Sequence, residues 1–375
     1  MKGNRMVANN PAVSVVIPVY NQEKYVGKCI RSVLGQSFQD FEIIVVNDGS
    51  RDKSLKICQK FAAKDKRIKI IDKANEGVAQ ARKDGLTNAT GEFMLFLDSD
   101  DYLEPDALEI VFRLAKEKAV DAVAFNCDIV FDNWGVVRKD AIPYKMGDQL
   151  IAGNRVCQQI LGFSGPDDDY WKTHVAHSLY MRCCLIKAMN ESEYPMFPCY
   201  NEGEDAAFLL AIAPFVSSIW ISNDVLYHYR YGGITSFGFK MVQHSEAYFN
   251  DRVECCLRMG MQSELFGVLK HYSSQLMDEV ASMIYRQDQS EQEIRSFVSR
   301  EFHERRIAVW TQQHVQEIPM EIKKKYGIMA VANRDADAFL ETVRERVTFL
   351  RKHHYWKMRI VGFYQRMVDV IGSFC

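Results

Sequence analysis

Three short apolar segments alternate with polar stretches in the first hundred residues. Turn-forming or charged residues bound each of them: VSVVIPV (13–19), FEIIVV (41–46) and EFMLFL (92–97). Segments this short, and this rich in β-branched and aromatic residues, are typical of strands whose two faces are both covered. We therefore predict three buried parallel strands, with a weaker fourth strand over RIKIID (67–72).

Apolar residues at helical spacing fill the intervals between these strands. One stripe runs from Tyr25 to Leu34, with Asn21 as its expected N-cap, and a second runs from Leu55 to Ala62. A further helix is expected to open at Pro105, because proline is favoured in the first turn. Alternating strands and helices predict an α/β fold with a doubly wound, mostly parallel sheet.

The pattern changes after about residue 238, where glycine becomes rare and long amphipathic segments follow one another. Three of these segments, 244–259, 264–285 and 290–306, predict successive helices. We therefore expect an N-terminal tail over 1–11, an α/β domain over 12–238 and a C-terminal helical region over 239–375.

Composition narrows the class of protein. The 375 residues are 47% hydrophobic and 26% charged, and the formal net charge of −2 gives no basic field, so we expect no nucleic-acid partner. The ten cysteines lack zinc-type spacing. No apolar run reaches the ~18 residues of a membrane span. The N-terminus also lacks the apolar segment of a signal peptide, so we expect a cytoplasmic protein with reduced thiols.

Polar residues follow each of the three main strands: PVYNQE (18–23), NDGS (47–50) and DSDD (98–101). In a doubly wound sheet, ligands bind outside the carboxyl ends of the strands, so these segments are expected to meet at one site. Asp98, Asp100 and Asp101 bring three carboxylates together in DSDD. Two such charges about 4 Å apart repel by roughly 4 kcal/mol at an effective dielectric of 20, and a divalent cation would remove that repulsion.

All-oxygen ligation by these carboxylates favours Mg²⁺ or Mn²⁺, with a substrate diphosphate completing the coordination shell. The alternative interpretation is that DSDD consists of solvated acids near the start of the helix that opens at Pro105, where negative charge is common.

An ordered set of motifs makes these segments similar to a known family. The motifs, between residues 15 and 236, are VVIPVYNQEKYVGKCIRSVLGQSF, IIVVNDGSRD, NEGVAQARKDGL, GEFMLFLDSDD, NEGEDAAFLL and VLYHYRYGGITS. Over about its first 230 residues the chain resembles a family 2 glycosyltransferase of the GT-A fold. The resemblance implies a nucleotide-diphosphate sugar donor such as a UDP-sugar, together with Mn²⁺ or Mg²⁺.

The resemblance also assigns roles to individual residues. It places the following in the nucleotide-sugar pocket: Pro18, Tyr20, Asn21, Glu23, Asp48, Asn75, Gly77, Arg82, Asp98 and Ser99. Asp48 would accept the ring N–H of the nucleobase, Asp98 would lie near the ribose and Asp100 would bind the metal. Asp101 is expected to cap the following helix instead. This chain has Asn47 where the family often has aspartate.

The segment GED at 203–205 matches the family's catalytic motif. Asp205 is thereby implied to be the general base that takes the proton of an acceptor hydroxyl during an inverting displacement. Glu204 and His177 are expected on the acceptor side. The acceptor would be a saccharide or a lipid-linked molecule, in the biosynthesis of surface polysaccharide or another glycan.

The last segment, 353–374, mixes aromatic residues with Lys357, Arg359 and Arg366. Such a pattern suits an interfacial helix, so one interpretation is a peripheral contact with the inner face of the membrane. The other interpretation is that the segment packs on its own domain or on a partner.

Three other functions share some of these features. A phosphohydrolase of the haloacid dehalogenase type uses D-x-D after its first strand, with Thr or Val where this chain has Tyr102. A sugar nucleotidyltransferase would need a basic glycine-rich loop near the N-terminus. A non-catalytic sugar-nucleotide binder or scaffold is the third alternative, against which the retention of Asp98, Asp100 and Asp205 argues.

Overall fold

The structure of the protein is a computed structural model. It describes residues 10–131, 136–138, 148–153, 156, 183–188, 208–209, 212, 215–230, 253, 257, 268–270, 272–273, 276–277, 279–281, 283–284, 289–304, 306–318, 320–345 and 347–348. The chain divides into two compact units, residues 1–244 and 245–375. The predicted domain ranges stay predictions, because residues 231–250, around the predicted boundary, lie outside the described ones.

A ten-stranded sheet forms the centre of the first unit. Its strands are β1 (Val13–Val19), β2 (Phe41–Asp48), β3 (Ile68–Lys73), β4 (Phe93–Phe96), β5 (Tyr102–Leu103), β6 (Ala122–Phe131), β7 (Val136–Arg138), β8 (Gln149–Ala152), β9 (Cys184–Lys187) and β10 (Ser218–Arg230). The strand order is β3-β2-β1-β4-β9-β6-β10-β5, with β7 paired to β6 and β8 paired to β10.

Four of the ladders between the described strands are parallel. They join β1 to β2, β2 to β3, β1 to β4 and β6 to β10, while β5, β7, β8 and β9 pair antiparallel to their neighbours. Every residue of β1, β2 and β4 is buried, as the continuous apolar runs predict for strands covered on both faces.

Four helices cover the two faces of the sheet: α1 (Val26–Leu34), α2 (Ser54–Ala62), α3 (Val78–Thr87) and α4 (Ala107–Lys118). Ile30 of α1 and Leu108 of α4 share one hydrophobic core with Val15 of β1. Val16 points to the opposite face, where it meets Gly85 of α3; a Cβ on Gly85 would lie 2.2 Å from Val16 Cγ1. The α/β fold with a doubly wound sheet is thus confirmed.

Asn21 does not cap α1, contrary to the prediction. The helix begins at Val26, its N-cap is Tyr25, and no side chain makes a capping hydrogen bond. Asn21 lies earlier, at a φ of 52°, a left-handed conformation that asparagine tolerates better than most residues. Its side chain instead accepts a hydrogen bond from the backbone of Arg51 in the loop after β2.

The second unit is helical where the structure describes it. Its helices are α5 (Glu291–Glu304), α6 (Arg306–His314), α7 (Met320–Lys325) and α8 (Ile328–Asn333), with further helical residues at 336–345. Phe302 and Phe339 pack edge to face in its core, with ring centroids 5.3 Å apart. The predicted C-terminal helical extension is confirmed, while the segment 353–374 lies outside the described residues.

No helix in the described part of the chain is both long enough and apolar enough to cross a lipid bilayer.

Candidate functional site

The loop after β1 and the loop after β2 are held together by reciprocal hydrogen bonds. The backbone N–H of Asn21 donates to the hydroxyl of Ser50 over 3.1 Å. In return, the backbone N–H of Arg51 donates to Asn21 Oδ1 over 2.8 Å. Asn21 is therefore a bridge between two loops at the carboxyl edge of the sheet.

Glu23 makes the second half of this bridge. Its backbone N–H donates to the carboxylate of Asp52 over 2.9 Å, and its own carboxylate accepts the N–H of Lys53 over 3.0 Å. Pro18 is buried within β1, while Tyr20 at the end of the strand keeps 38% of its surface exposed. The bridge fixes the loop that carries the exposed Tyr20 ring at the rim of the site.

Asp48 organises the next part of the rim. It ends β2, is 3% exposed, and its two carboxylate oxygens accept the backbone N–H groups of Glu76 and Gly77, each over 2.9 Å. The Asp48 carbonyl accepts a hydrogen bond from Asn75 Nδ2, also over 2.9 Å. Gly77 has a φ of 93°, which disfavours any other residue, and it is the N-cap of α3. The structure thus brings Asp48, Asn75 and Gly77 together.

Asn47 explains the departure from the family's usual aspartate. It is 1% exposed, and its Nδ2 donates to Asp72 Oδ1 over 2.7 Å from the neighbouring strand β3. An aspartate at position 47 would place two carboxylates next to each other. Ionised carboxylates cannot donate a hydrogen bond, so the two would repel each other. With the Asn47 amide in this position, a hydrogen bond joins the ends of β2 and β3 instead.

Arg82 connects α3 to the D-x-D segment. The arginine is 1% exposed, and one of its terminal nitrogens lies 2.9 Å from Asp98 Oδ1. Asp98 itself keeps 15% of its side chain exposed. A buried guanidinium next to the first carboxylate of DSDD offsets part of the negative charge that the sequence concentrates there.

The turn after β4 holds the remaining acidic residues. The N–H of Asp101 donates to the Asp98 carbonyl over 3.0 Å, which closes the turn around Ser99, a residue 5% exposed. One oxygen from each of Asp98, Asp100 and Asp101 lies within 4.8 Å of the others. An all-oxygen cluster of this size fits a hard divalent cation such as Mg²⁺ or Mn²⁺.

Asp101 does not cap the following helix, contrary to the prediction. Helix α4 has Asp106 as its N-cap, without a side-chain bond. Asp101 is 1% exposed; its carboxylate accepts the Tyr227 hydroxyl over 2.5 Å and the Arg230 N–H over 2.7 Å. The Arg230 Nε donates to the Asp100 carbonyl over 2.6 Å. These contacts tie the D-x-D turn to the end of β10.

A group of cations and aromatic rings adjoins this turn, and sequence reasoning missed it. The ammonium of Lys28 lies 3.4 Å from the centroid of the Tyr102 ring, and the guanidinium carbon of Arg230 lies 4.5 Å from that of Tyr25. Partial burial, and then the charge of Arg230, lower the pKa of Lys28. The sequence signal for this group of cations and rings is the alternation of aromatic and basic residues in YHYR (227–230).

Cys29 lies directly beneath the D-x-D turn, with its Sγ 3.5 Å from the Asp98 carbonyl oxygen. Burial above all, and then the negative charge of Asp101 and Asp100, raise its pKa well above the usual value for a thiol. The thiol therefore stays protonated and contributes packing, because a nucleophilic cysteine needs the opposite shift.

The structure thus gathers the predicted nucleotide-side residues along one rim of the sheet. Three predicted residues, Asp205, Glu204 and His177, lie outside the described residues.

The chain is similar to known proteins over much of its length. Residues 14–187 match the sequence model of Glycosyl transferase family 2. EpsH of Bacillus subtilis is 34% identical over 228 residues, which cover 59% of this chain and 61% of that protein. The glycosyltransferase GlyG of Streptococcus pneumoniae is 29% identical over 274 residues, 70% of this chain and 88% of its own. The chain thus spans less than two thirds of the length of EpsH.

The fold has a solved counterpart. The crystal structure of S. aureus TarS residues 1–349 in complex with UDP-GlcNAc has a TM-score of 0.62 and 18% identity, over 89% of this chain and 91% of that one. At this identity the likeness establishes the fold alone. The ordered motifs, the fold and the matching relatives agree in one respect: over residues 14–187 the chain is similar to glycosyl transferase family 2.

Proposed function

We propose that this protein is a metal-dependent, inverting glycosyltransferase. It moves a sugar from a nucleoside-diphosphate donor, a UDP-sugar, to a hydroxyl of a saccharide or lipid-linked acceptor, in the building of surface polysaccharide or another glycan. The observation that carries the proposal is the connection through α3 between Asp48 and the D-x-D carboxylates. The relatives named as glycosyltransferases and the UDP-GlcNAc complex of TarS support it.

Asp48 is the proposed reader of the nucleobase. Two backbone N–H groups already occupy one position on each of its oxygens. An ionised carboxylate has about four acceptor positions, so it can accept the ring N–H of a base as well. The same two hydrogen bonds hold the carboxylate in place, with the exposed ring of Tyr20 available to contact the base.

Asp100 is the proposed metal ligand. One of its carboxylate oxygens lies within 4.8 Å of an oxygen of Asp98 and of Asp101, and the family resemblance assigns the metal to this position. Asp100 is only partly buried, at the rim of the turn. When bound there, Mn²⁺ or Mg²⁺ would neutralise the charge that develops on the departing diphosphate.

Asp205 is the proposed general base, with Glu204 and His177 on the acceptor side. The acceptor oxygen bonds to the anomeric carbon while the bond from that carbon to the diphosphate breaks. Asp205 takes the hydroxyl proton, and the diphosphate leaves with the electron pair. Phe208, three positions after Asp205, packs edge to face on Phe96 at the end of β4, with centroids 5.3 Å apart. That contact supports a base close to the D-x-D.

The test of the activity is a panel of nucleotide sugars with Mn²⁺ and with EDTA. Thermal shift reports donor binding, and release of the nucleoside diphosphate reports donor hydrolysis. We expect a UDP-sugar to stabilise the protein and to be hydrolysed slowly with Mn²⁺ only. A protein that binds and hydrolyses none of these donors would not be a glycosyltransferase of this kind, and hydrolysis undiminished in EDTA would exclude the metal.

Asp100→Asn is expected to weaken the Mn²⁺-dependent binding of UDP by at least about 10-fold. The substitution keeps the shape of the side chain but removes the charge that the cation requires, and even supporting residues of metal sites change affinity by about 10- to 100-fold. Titration calorimetry with UDP and Mn²⁺ measures the loss. UDP binding in EDTA is the control and should not change; equal Mn²⁺-dependent affinity in both proteins would contradict the assignment.

We also propose a cytoplasmic location, with the segment 353–374 touching the inner face of the membrane. Its support is the mixture of basic and aromatic residues in the sequence. Flotation with anionic liposomes compares the full chain with one ending at Leu350, and equal binding by both would exclude this contact.

A further inference from the structure

Two polar side chains are buried on neighbouring strands without using all of their hydrogen-bonding atoms. Asp128 on β6 is 8% exposed and His228 on β10 is 9% exposed. Neither Asp128 Oδ1 nor His228 Nδ1 has a hydrogen-bond partner among the described residues. Within the described part of the chain, Asp128 Oδ1 is thus a buried acceptor without a donor.

The two side chains share one face of the sheet. Asp128 and His228 are register partners in the parallel ladder between β6 and β10, and register partners point the same way. Their preceding neighbours, Cys127 and Tyr227, are also register partners and lie in the hydrophobic core on the opposite face. Asp128 and His228 are therefore adjacent, about 5 Å apart at their backbones, on the face away from that core.

The imidazole of His228 is held in one orientation. Its Nε2 lies 2.8 Å from Glu104 Oε1, and its ring stacks on Tyr102 with centroids 4.4 Å apart and an interplanar angle of 21°. In the tautomer whose Nε2–H donates to the Glu104 carboxylate, Nδ1 is an acceptor. Nδ1 and Asp128 Oδ1 are then two buried acceptors on the same face of neighbouring strands.

A buried carboxylate without a donor is unfavourable unless a ligand supplies one. Asp121, in the same part of the sheet, is a carboxylate whose hydrogen bonds come from other protein groups. Asp121, immediately before β6, accepts both the N–H and the hydroxyl of Ser217, over 2.9 and 2.5 Å. Asp121 is satisfied within the protein, whereas Asp128 Oδ1 has no donor among the residues that the structure describes.

Asp128 and His228 lie on the opposite side of the D-x-D segment from Asp48, the residue proposed to bind the nucleobase. In the strand order, β2 with Asp48 is two positions to one side of β4, and β6 and β10 are two and three positions to the other side. Arg230, two residues after His228 and therefore on the same face of β10, donates to the Asp100 carbonyl in the D-x-D turn. A ligand of Asp128 and His228 would therefore adjoin the D-x-D without overlapping the base.

We propose that Asp128 and His228 bind two neighbouring hydroxyl groups of the acceptor sugar. A vicinal diol on a pyranose ring supplies two donors close together, one for the carboxylate and one for Nδ1. The inference rests on the proposed function and adds to it a specificity site, at residues that the family motifs did not assign.

The test compares Asp128→Asn and His228→Gln with the matched control Asp121→Asn. Methyl glycosides of glucose, galactose, mannose and N-acetylglucosamine serve as acceptors, and hydrolysis of the UDP-sugar serves as the acceptor-independent reaction. We expect the acceptor KM to rise about 10- to 100-fold in the two variants, because each loses a hydrogen bond to a charged or fixed group. Donor hydrolysis should stay within about 2-fold, and Asp121→Asn should leave the acceptor KM unchanged.

Thermal stability gives a second readout that needs no acceptor. Neutralising an unpaired buried carboxylate should leave the Tm of Asp128→Asn unchanged or raise it, whereas Asp121→Asn, which loses an ionised acceptor, should lower it. A lower Tm in Asp128→Asn would show a structural role and overturn the proposal.

Monodeoxy versions of the best methyl glycoside identify the hydroxyl. Wild type should discriminate strongly against one deoxy sugar, and Asp128→Asn should lose that discrimination, which is the signature of a direct contact. Unchanged discrimination, or an equal loss of hydrolysis and transfer, would overturn the proposal while leaving the glycosyltransferase activity intact. Wild-type protein without any hydrolysis or transfer would instead refute the proposed function.

Discussion

Asp205→Asn is expected to lower the rate of sugar transfer by about 10²- to 10⁴-fold, the usual contribution of a general base. Asparagine keeps the size and much of the hydrogen bonding of the side chain, but it cannot take a proton from the acceptor hydroxyl. Binding of the donor should not change, because the predicted donor contacts, Asp48, Arg82 and the D-x-D, lie on β2, on α3 and after β4. Steady-state kinetics with saturating donor, together with thermal shift by UDP-sugar, separates the two effects.

Glu204→Gln is the matched control for this prediction. It changes the neighbouring acid of the GED segment in the same way, and we expect a change in acceptor KM with a much smaller loss of turnover. Equal turnover in Asp205→Asn and wild type would refute the assignment of the base. Loss of turnover in Glu204→Gln alone would instead identify Glu204 as the general base.

Arg82→Met is expected to lower the free energy of unfolding by about 3 kcal/mol. Removing one partner of a buried ion pair costs about 3–5 kcal/mol, and the lower value applies because Asp98 keeps 15% of its side chain in contact with solvent. Methionine fills much of the space of the arginine stem, so the loss reports the charge more than the packing. Urea denaturation of both proteins gives the two free energies.

The double variant Arg82→Met with Asp98→Asn controls for lost packing. Because Asp98→Asn removes the charge that Arg82→Met leaves uncompensated, the double variant should be more stable than Arg82→Met alone. A double variant as unstable as the sum of the single variants would show that Arg82 stabilises the fold through its packing and not through Asp98.

The first half of the sheet could be predicted because its signal is local. β1, β2 and β4 are covered on both faces, and burial forces every position in them to be apolar or hydrogen-bonded inside the protein. β6 and β9 were missed for different reasons. In β6, Asn126 and Asp128 interrupt the apolar run, and β9, Cys184–Lys187, is a short strand inserted between β4 and β6 from far along the chain.

In the candidate site, too, local motifs revealed some residues, while contacts between distant parts of the chain determine others. Asp48, Asn75 and Gly77 were found because whole motifs carry them, and the structure joins them directly. The role of Asp101 was predicted wrongly because its partners, Tyr227 and Arg230, are 126 and 129 residues away in the chain. A carboxylate four residues before Pro105, where a helix is predicted to open, suggests a cap when only local sequence is considered. No local pattern reveals a strand that returns to contact it.

Under the proposed function, helix α3 sets the distance between the nucleobase end and the diphosphate end of the donor site. The N–H of Gly77, the N-cap of the helix, donates to Asp48, and Arg82 pairs with Asp98 five residues further along, a rise of about 7 to 8 Å in an α-helix. The proposal therefore requires a donor that carries a base and a diphosphate at the matching separation. A free sugar phosphate would reach one end alone and would lose the affinity that comes from binding at both ends.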